Sequence, residues 1–415
     1  MERNRKSEDN NTCSPDTTSG EALATMTPAH GGDERGSAGS LVRAIRKLEA
    51  EVASGFVGRE EEARVAVLAL VTRSHAVFIG EAGVAKSALI RRLSRLVNAK
   101  YFYYLLSKYT VPDELIGAID PVAYKNEGKF VRITKGKLPE AQLVFIDEIF
   151  KGSSETLNTL LNIMHERLFV DTDGTVYQCP LWSLFGASNE LPEDSSLHAF
   201  YDRFLIRHFV KRIDVSKLET AIIHNLSNIH ENLKPIISLN EVRELHNQIT
   251  KFMCENAHPL AKVTSQLVIV LRQNGIFVSD RTAVSPDYLP RLIATYSYIY
   301  QQDLKKSAIA VSKYVLPSEE ALEAYKKALD SLIPPELRES QERLEKARDY
   351  AISGDLASAK RFAAEAIQLA QALVSKPEKL ELYKDEIREI ISDSEALLNQ
   401  IMEIEKSLKS LKKRG

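Results

Sequence analysis

Apolar residues at Leu41, Ile45, Leu48 and Val52 recur every three or four positions, which predicts a helix that Gly55 stops. A second amphipathic stretch covers Arg59–Ser74. The pattern then changes. Ala76-Val77-Phe78-Ile79 is an unbroken apolar run closed by Gly80, the mark of a strand buried on both faces. Helical spacing resumes over Ala88–Asn98, and Leu143–Ile146 and Leu181–Phe185 repeat the strand signature. Buried strands alternating with helices predict an α/β fold class with a mostly parallel sheet.

After about Ile213 the strand signals fade. Helical patterns over Val215–Ile229, Leu239–Asn256, Ala261–Asn274 and Tyr288–Gln302 predict a separate all-helical domain. Beyond Pro317 the chain reads as four more helices, Glu319–Leu332, Glu336–Ile352, Leu356–Val374 and Glu378–Lys413. The long pair among these is expected to run antiparallel because its link is short. Two further segments read as hairpins, Tyr124–Thr134 turning at Glu127-Gly128 and Leu168–Cys179 turning at Asp173-Gly174. Residues 1–40 hold no aromatic residue, Val or Ile, and so cannot offset their ordering entropy. The expected organisation is a disordered tail at 1–40, an α/β core at 41–213, a helical domain at 214–316 and a C-terminal helical domain at 317–415.

Composition narrows the function classes. The 415 residues are 44% apolar and 27% charged, ordinary for a globular chain, and 55 basic against 57 acidic residues give a net charge of -2. Binding to nucleic acid through overall charge is therefore disfavoured. The segment Lys125–Lys137, with five basic residues and one acid, reads either as a solvated hairpin or as a contact for an acidic substrate or nucleic acid. No apolar run is long enough for a membrane span, and no secretory leader is visible. Cys13, Cys179 and Cys254 lie far apart, which argues against a zinc site or a disulfide framework and for a cytoplasmic setting.

The sharpest chemical signal is Gly80-Glu81-Ala82-Gly83-Val84-Ala85-Lys86-Ser87, lying between a strand and the helix that opens at Ala88. Phosphate binding needs inward backbone N–H groups, a helix N-terminus, a Lys for the β- and γ-phosphates and a hydroxyl for Mg²⁺, and each is present. Ala85 replaces the usual Gly before the Lys, which is acceptable if its φ stays negative. The strand Leu143–Ile146 then delivers Asp147 and Glu148 at its C-terminal end. Asp147 is assigned to the Mg²⁺ shell and Glu148 to the attacking water. Asn189, after a third strand, either orients that water or simply occupies a turn.

These motifs, with Phe56–Glu60, Gly136–Ala141, Leu157–Leu161, Ala187–Pro192 and Tyr201–Phe204, resemble the MoxR family of AAA+ ATPases, most closely its RavA-type branch. Ala85 fits that family's form of the phosphate loop. The resemblance implies an AAA+ αβα nucleotide-binding domain, a helical lid and a C-terminal helical domain, here without the β-rich insert of RavA-type proteins. It places Phe56 and Val57 near adenine and gives Arg203 the role of an arginine finger reaching a neighbouring subunit. A local salt bridge is the alternative for Arg203. Ser279-Asp280-Arg281 matches the lid motif whose Arg reaches the γ-phosphate of its own subunit, although Pro286 and Pro290 interrupt the region and Arg291 competes for the role.

In functional terms the resemblance implies an ATPase that converts ATP to ADP with Mg²⁺ in a ring, expected to be a hexamer. It would act as a chaperone-like remodeller beside a von Willebrand factor A domain protein and a client complex. A nucleic-acid motor and a nucleotide-gated scaffold are the alternatives.

Overall fold

The computed structural model describes residues 34–171, 173–192, 194, 197–227, 233–332, 335–374 and 377–412. Residues 1–33 of the expected tail lie outside them. Where the described residues begin the chain is already helical, because the first helix, Glu34–Ser54, starts ahead of Leu41. The chain divides into two compact units after Leu322, so the α/β core and the helical domain share one unit.

Seven strands occur among the described residues: β1 (Ala76–Ile79), β2 (Tyr101–Leu105), β3 (Leu143–Asp147), β4 (Leu168–Val170), β5 (Val176–Gln178), β6 (Ser183–Ser188) and β7 (Ile206–Phe209). Five form a parallel sheet in the order β2-β3-β6-β1-β7, as an α/β core requires. Ile79 stands level with Ser188 on one side and Phe209 on the other. That register lines up the ends of three strands, so Gly80, Asn189 and Val210 emerge together at the C-terminal edge.

β1, β3 and β6 are the predicted apolar runs, and the sheet covers them on both faces. The apolar-run criterion misses β2 and β7 for different reasons. β2 is an edge strand, and its Tyr101-Phe102-Tyr103-Tyr104 sequence stands partly in water. β7 carries a buried Arg207 and a half-buried His208, each with a partner on another element. Arg207 donates to Val315 O at 3.0 Å, and His208 Nε2 lies 3.5 Å from Glu62 Oε1.

The helix Glu60–Thr72, almost wholly buried, runs beneath the sheet. Trp182 sits at its end, 2% exposed, and donates through Nε1 to Leu70 O at 2.7 Å. The guanidinium groups of Arg73 and Arg243 lie over its ring. His246 of the helix Leu239–Glu255 also meets Trp182, and its Nδ1 lies 2.9 Å from Val71 O. Burial and then the Arg291 charge push His246 down to about 4. This aromatic-cation cluster is one of the contacts that fasten the helical domain to the core. Its other helices are Leu218–Ser227, Ala257–Gln273, Asp280–Val284, Leu289–Tyr300 and Leu304–Ser312.

Of the two expected hairpins, Leu168–Cys179 forms, as β4 and β5. Tyr124–Thr134 does not. Asp120 caps a short helix, Pro121–Glu127, by accepting from Val122 N at 2.8 Å, and Gly128 ends that helix in the left-handed region at φ 66. The Glu127-Gly128 pair is therefore a helix stop, because the capping signal upstream at Asp120-Pro121 decides the local structure. The chain returns through residues 129–134, bridging Arg132 to Ile119.

Arg132 joins the two inserts. It holds both Asp171 oxygens, at 2.6 and 2.9 Å, and Asp113 at 2.6 Å, with the Arg132 and Asp171 side chains 7% and 1% exposed.

The region after Pro317 holds the four expected helices, the first of them Glu319–Leu332, and the second unit takes in most of that helix and the three that follow. Pro335–Ser353 and Leu356–Val374 run antiparallel, with Ser340 Oγ donating to Ala366 O at 2.7 Å. Pro377–Lys412 adds Ile387 and Ile390 to the core formed by Leu337, Leu344 and Leu373. The described residues after Pro317 contain no strand.

Substituting Arg132 with Ala strands a buried carboxylate, and its expected cost is about 3–5 kcal/mol in urea unfolding. The joint change Arg132→Met with Asp171→Leu is expected to recover most of that loss. Equal stability of the single variant and the parent would show that the pair is not buried as described.

Candidate active site

The phosphate loop leaves β1 at Gly80, where a Cβ would lie 2.3 Å from Val210 O, so only glycine fits between the two strand ends. Gly83 and Ala82 are exposed at the tip, Val84 is buried beneath it, and Ala88 faces solvent in the first helical turn. The helix Lys86–Leu96 begins without a side-chain cap and without an acid in its first turn. Its N-terminal N–H groups therefore point at open space, which is the donor set an anion needs.

Ala85 departs from expectation. It sits at φ 67, ψ 16, in the left-handed region and not at negative φ. The loop geometry demands this turn from whatever residue precedes Lys86, and an alanine methyl there carries strain.

Lys86 folds back onto the loop. Its Nζ donates to Gly80 O and reaches Ser188 O at 3.3 Å. Burial lowers its pKa, while Asp147 and Glu148 act in the other direction. Asp147, at the end of β3, has its carboxyl raised by burial and accepts from Glu148 N at 3.1 Å. Glu148 is itself left-handed, at φ 51. Asn189 Nδ2 donates to Glu148 Oε1 at 2.9 Å, which joins the tips of β3 and β6 in one constellation.

Among the described residues no group of three or more His, Cys, Asp or Glu surrounds a metal position. Asp147 and Ser87 offer one carboxylate and one hydroxyl, and such a sparse set suits Mg²⁺ that arrives with phosphates completing its shell. Phe56 and Val57 lie half-buried at the same edge of the sheet. Arg59 anchors that segment by donating to Lys211 O at 2.7 Å, and Gly58 faces Ile213 and Lys217.

Comparison with known proteins agrees with this geometry. Residues 43–247 match a family model described as the MoxR domain of MoxR–vWA–β-propeller ternary systems. The chain belongs to the MoxR family of AAA+ ATPases. It is similar to the uncharacterized protein MJ0079 of Methanocaldococcus jannaschii, 39% identical over 58% of this chain and 62% of that one. It is also similar to Chaperone MoxR1 of Mycobacterium tuberculosis, 24% identical over 53% of this chain and 59% of that one. The chain thus spans about three fifths of the length of these relatives. A crystal structure of a candidate ATPase from Cytophaga hutchinsonii shares the fold at a TM-score of 0.57 and 20% identity, covering 70% of this chain and 92% of that one. The RavA-type branch is not singled out by these likenesses.

The remaining residues expected of a MoxR domain lie at the opposite edge of the sheet. Ala76 pairs with Ile206, so Asp202 and Arg203 stand at the N-terminal ends of β1 and β7, away from the phosphate loop. Arg203 Nε is buried without a hydrogen-bond partner. Among the described residues the neighbouring Asp202 is held by Arg207 at 3.3 Å and by Arg281 at 3.2 Å, and forms no ion pair with Arg203.

Arg281 therefore sits beside Arg203, bonded to Asp202. Burial, and then the Arg281 charge, lower the pKa of Arg203. Arg291 is 6% exposed and bonded to Asp287 at 2.8 Å and Thr250 at 2.9 Å, so it belongs to the packing of the lid. The prolines do no damage there. Pro286 lies between two helices, and Pro290 occupies the first turn of Leu289–Tyr300, where its missing N–H has no intrahelical acceptor.

Sequence reasoning missed two cations at the site. Arg212 donates through Nε to Glu81 at 2.7 Å, and Lys151 Nζ lies 3.1 Å from Glu148 Oε2. Only the three-residue spacing from Glu148 to Lys151 could have signalled the second.

Ala85→Gly removes a methyl from a left-handed position and is expected to stabilise the protein by about 1 kcal/mol, offset in part by the greater freedom of glycine in the unfolded chain. Thermal unfolding of the two proteins checks this, and a lower midpoint for the glycine variant would contradict it.

Proposed function

We propose that the chain hydrolyses ATP to ADP and phosphate at contacts between copies of itself arranged in a ring, a hexamer in the simplest case. The observation that carries this reading is the position of Arg203. A guanidinium with an unpartnered buried nitrogen stands at the sheet edge opposite its own phosphate loop, which supports a role at a neighbour's triphosphate. Arg281, fixed beside it through Asp202, would reach across with it.

In this reading the loop Gly80–Ser87 and the first turn of its helix bind the triphosphate, and Phe56 and Val57 flank the base. Lys86 leaves its carbonyl partners for the phosphates. Ser87 and Asp147 would hold Mg²⁺, which when bound neutralises charge across the β- and γ-phosphates. Glu148 takes the proton of the attacking water, oriented with help from Asn189.

The work done with that energy is read as chaperone-like remodelling or maturation of partner complexes. The name of the Mycobacterium relative supports this, and the ternary systems in the family description support a von Willebrand factor A domain protein as companion. The cytoplasmic setting suggested by cysteine usage is part of the same proposal. A nucleic-acid motor is the weaker reading, because the net charge is -2 and only the basic segment Lys125–Lys137 speaks for it.

Glu148→Gln is expected to slow turnover about a hundredfold or more while ATP still binds. Arg203→Ala is expected to cost about a thousandfold or more. Mixing the two inactive variants should restore part of the activity, because some contacts then pair an intact Glu148 with an intact Arg203 from the neighbour. Full turnover by Arg203→Ala alone, or no recovery on mixing, would overturn the shared-site reading.

A further inference from the structure

The helix Leu218–Ser227 is rich in apolar residues, yet none of its residues is buried. His224 marks its inward side, with Nε2 2.7 Å from Ser54 O. At about 100° per residue, Leu218, Ile222 and Leu226 fall on the opposite side, and Ile222 and Leu226 are 59% and 65% exposed. Val215, in the turn just before, extends the stripe. A lone exposed apolar side chain is ordinary, but a contiguous stripe marks a contact surface.

This stripe lies beside the nucleotide edge. Gly58 faces Ile213 and Lys217 just ahead of the helix, and Arg212 donates to Glu81 of the phosphate loop at 2.7 Å. The arginine pair has an apolar flank of its own. Between Gly275 and Asp280 the lid opens a groove of about 410 Å³, where Phe277 stands 73% exposed. Val284, three residues past Arg281, is 75% exposed. Ser279 accepts from Thr282 N at 3.2 Å, which joins the end of the groove to the helix that carries Arg281.

Two apolar surfaces thus flank the two halves of the proposed site, one beside the phosphate loop and one beside the arginines. Where Arg203 and Arg281 meet a neighbour's triphosphate, their flank meets the flank of that neighbour's loop. We infer that the stripe Leu218, Ile222 and Leu226 of one copy seats in the Gly275–Asp280 groove of the next. The contact joins unlike patches, so it repeats head to tail, as a ring requires. The inference rests on the shared-site reading and adds to it what holds the copies together.

The test follows assembly of the full-length chain by sedimentation velocity over a range of protein concentrations, with Mg²⁺ and a non-hydrolysable ATP analogue. Ile222→Glu and Phe277→Lys are each expected to raise the concentration of half-assembly about tenfold or more. Their thermal midpoints should match the parent's, because both side chains are exposed. The joint variant should recover part of the loss, since the new charges then face each other across the contact. Turnover of each single variant should fall in dilute protein and return when it is concentrated, which loss of a catalytic group would not allow.

Assembly of either single variant at the parent's concentration, or no recovery in the joint variant, would overturn the contact. Weaker analogue binding with assembly unchanged would place the stripe against the base, and the contact would fail on that result too. A parent that stays monomeric with the analogue sinks the shared-site reading and the contact together. If Arg203→Ala is inactive and regains turnover on mixing with Glu148→Gln, while both single variants assemble as the parent does, the shared site stands and the contact alone fails.

Discussion

Parallel pairing of β1 with β6 and β7 is the constraint on which the rest of the molecule depends. Every strand of a parallel sheet points the same way, so groups at strand ends gather on one edge and groups at strand starts on the other. Here the phosphate loop, Asp147, Glu148 and Asn189 collect at the C-terminal edge, while Arg203 and Arg281 collect at the N-terminal edge. The proposed division of the site between neighbours builds on that separation.

How much of this was legible beforehand depends on whether a residue's environment is local. The apolar runs of β1, β3 and β6 announce themselves, since strands covered on both faces need little else. β7 could not be read that way, because Arg207 and His208 are tolerated only through partners distant in sequence, at Val315 and Glu62. Glu127-Gly128 serves equally as a hairpin turn or a helix stop, and the residue that decides for the helix Pro121–Glu127 is Asp120, upstream of Tyr124–Thr134.

The site shows the same divide. The order of phosphate loop, acidic strand end and polar strand tip is a local property and was visible from the residues. The backbone of Ala85 was not, because a left-handed φ is imposed by the loop as a whole. The place of Arg281 was not visible either. It depends on Asp202, a residue from another element whose two oxygens are shared between two guanidinium groups.

Trp182 is the single tryptophan of the chain, and it lies where the end of Glu60–Thr72 meets the helix Leu239–Glu255, with Arg73 and Arg243 against its ring. Its ultraviolet emission therefore comes from one known place, the seam between sheet and lid. Charged groups beside an indole shift its colour and brightness, so any sliding of that seam during a nucleotide cycle would register optically without an added dye.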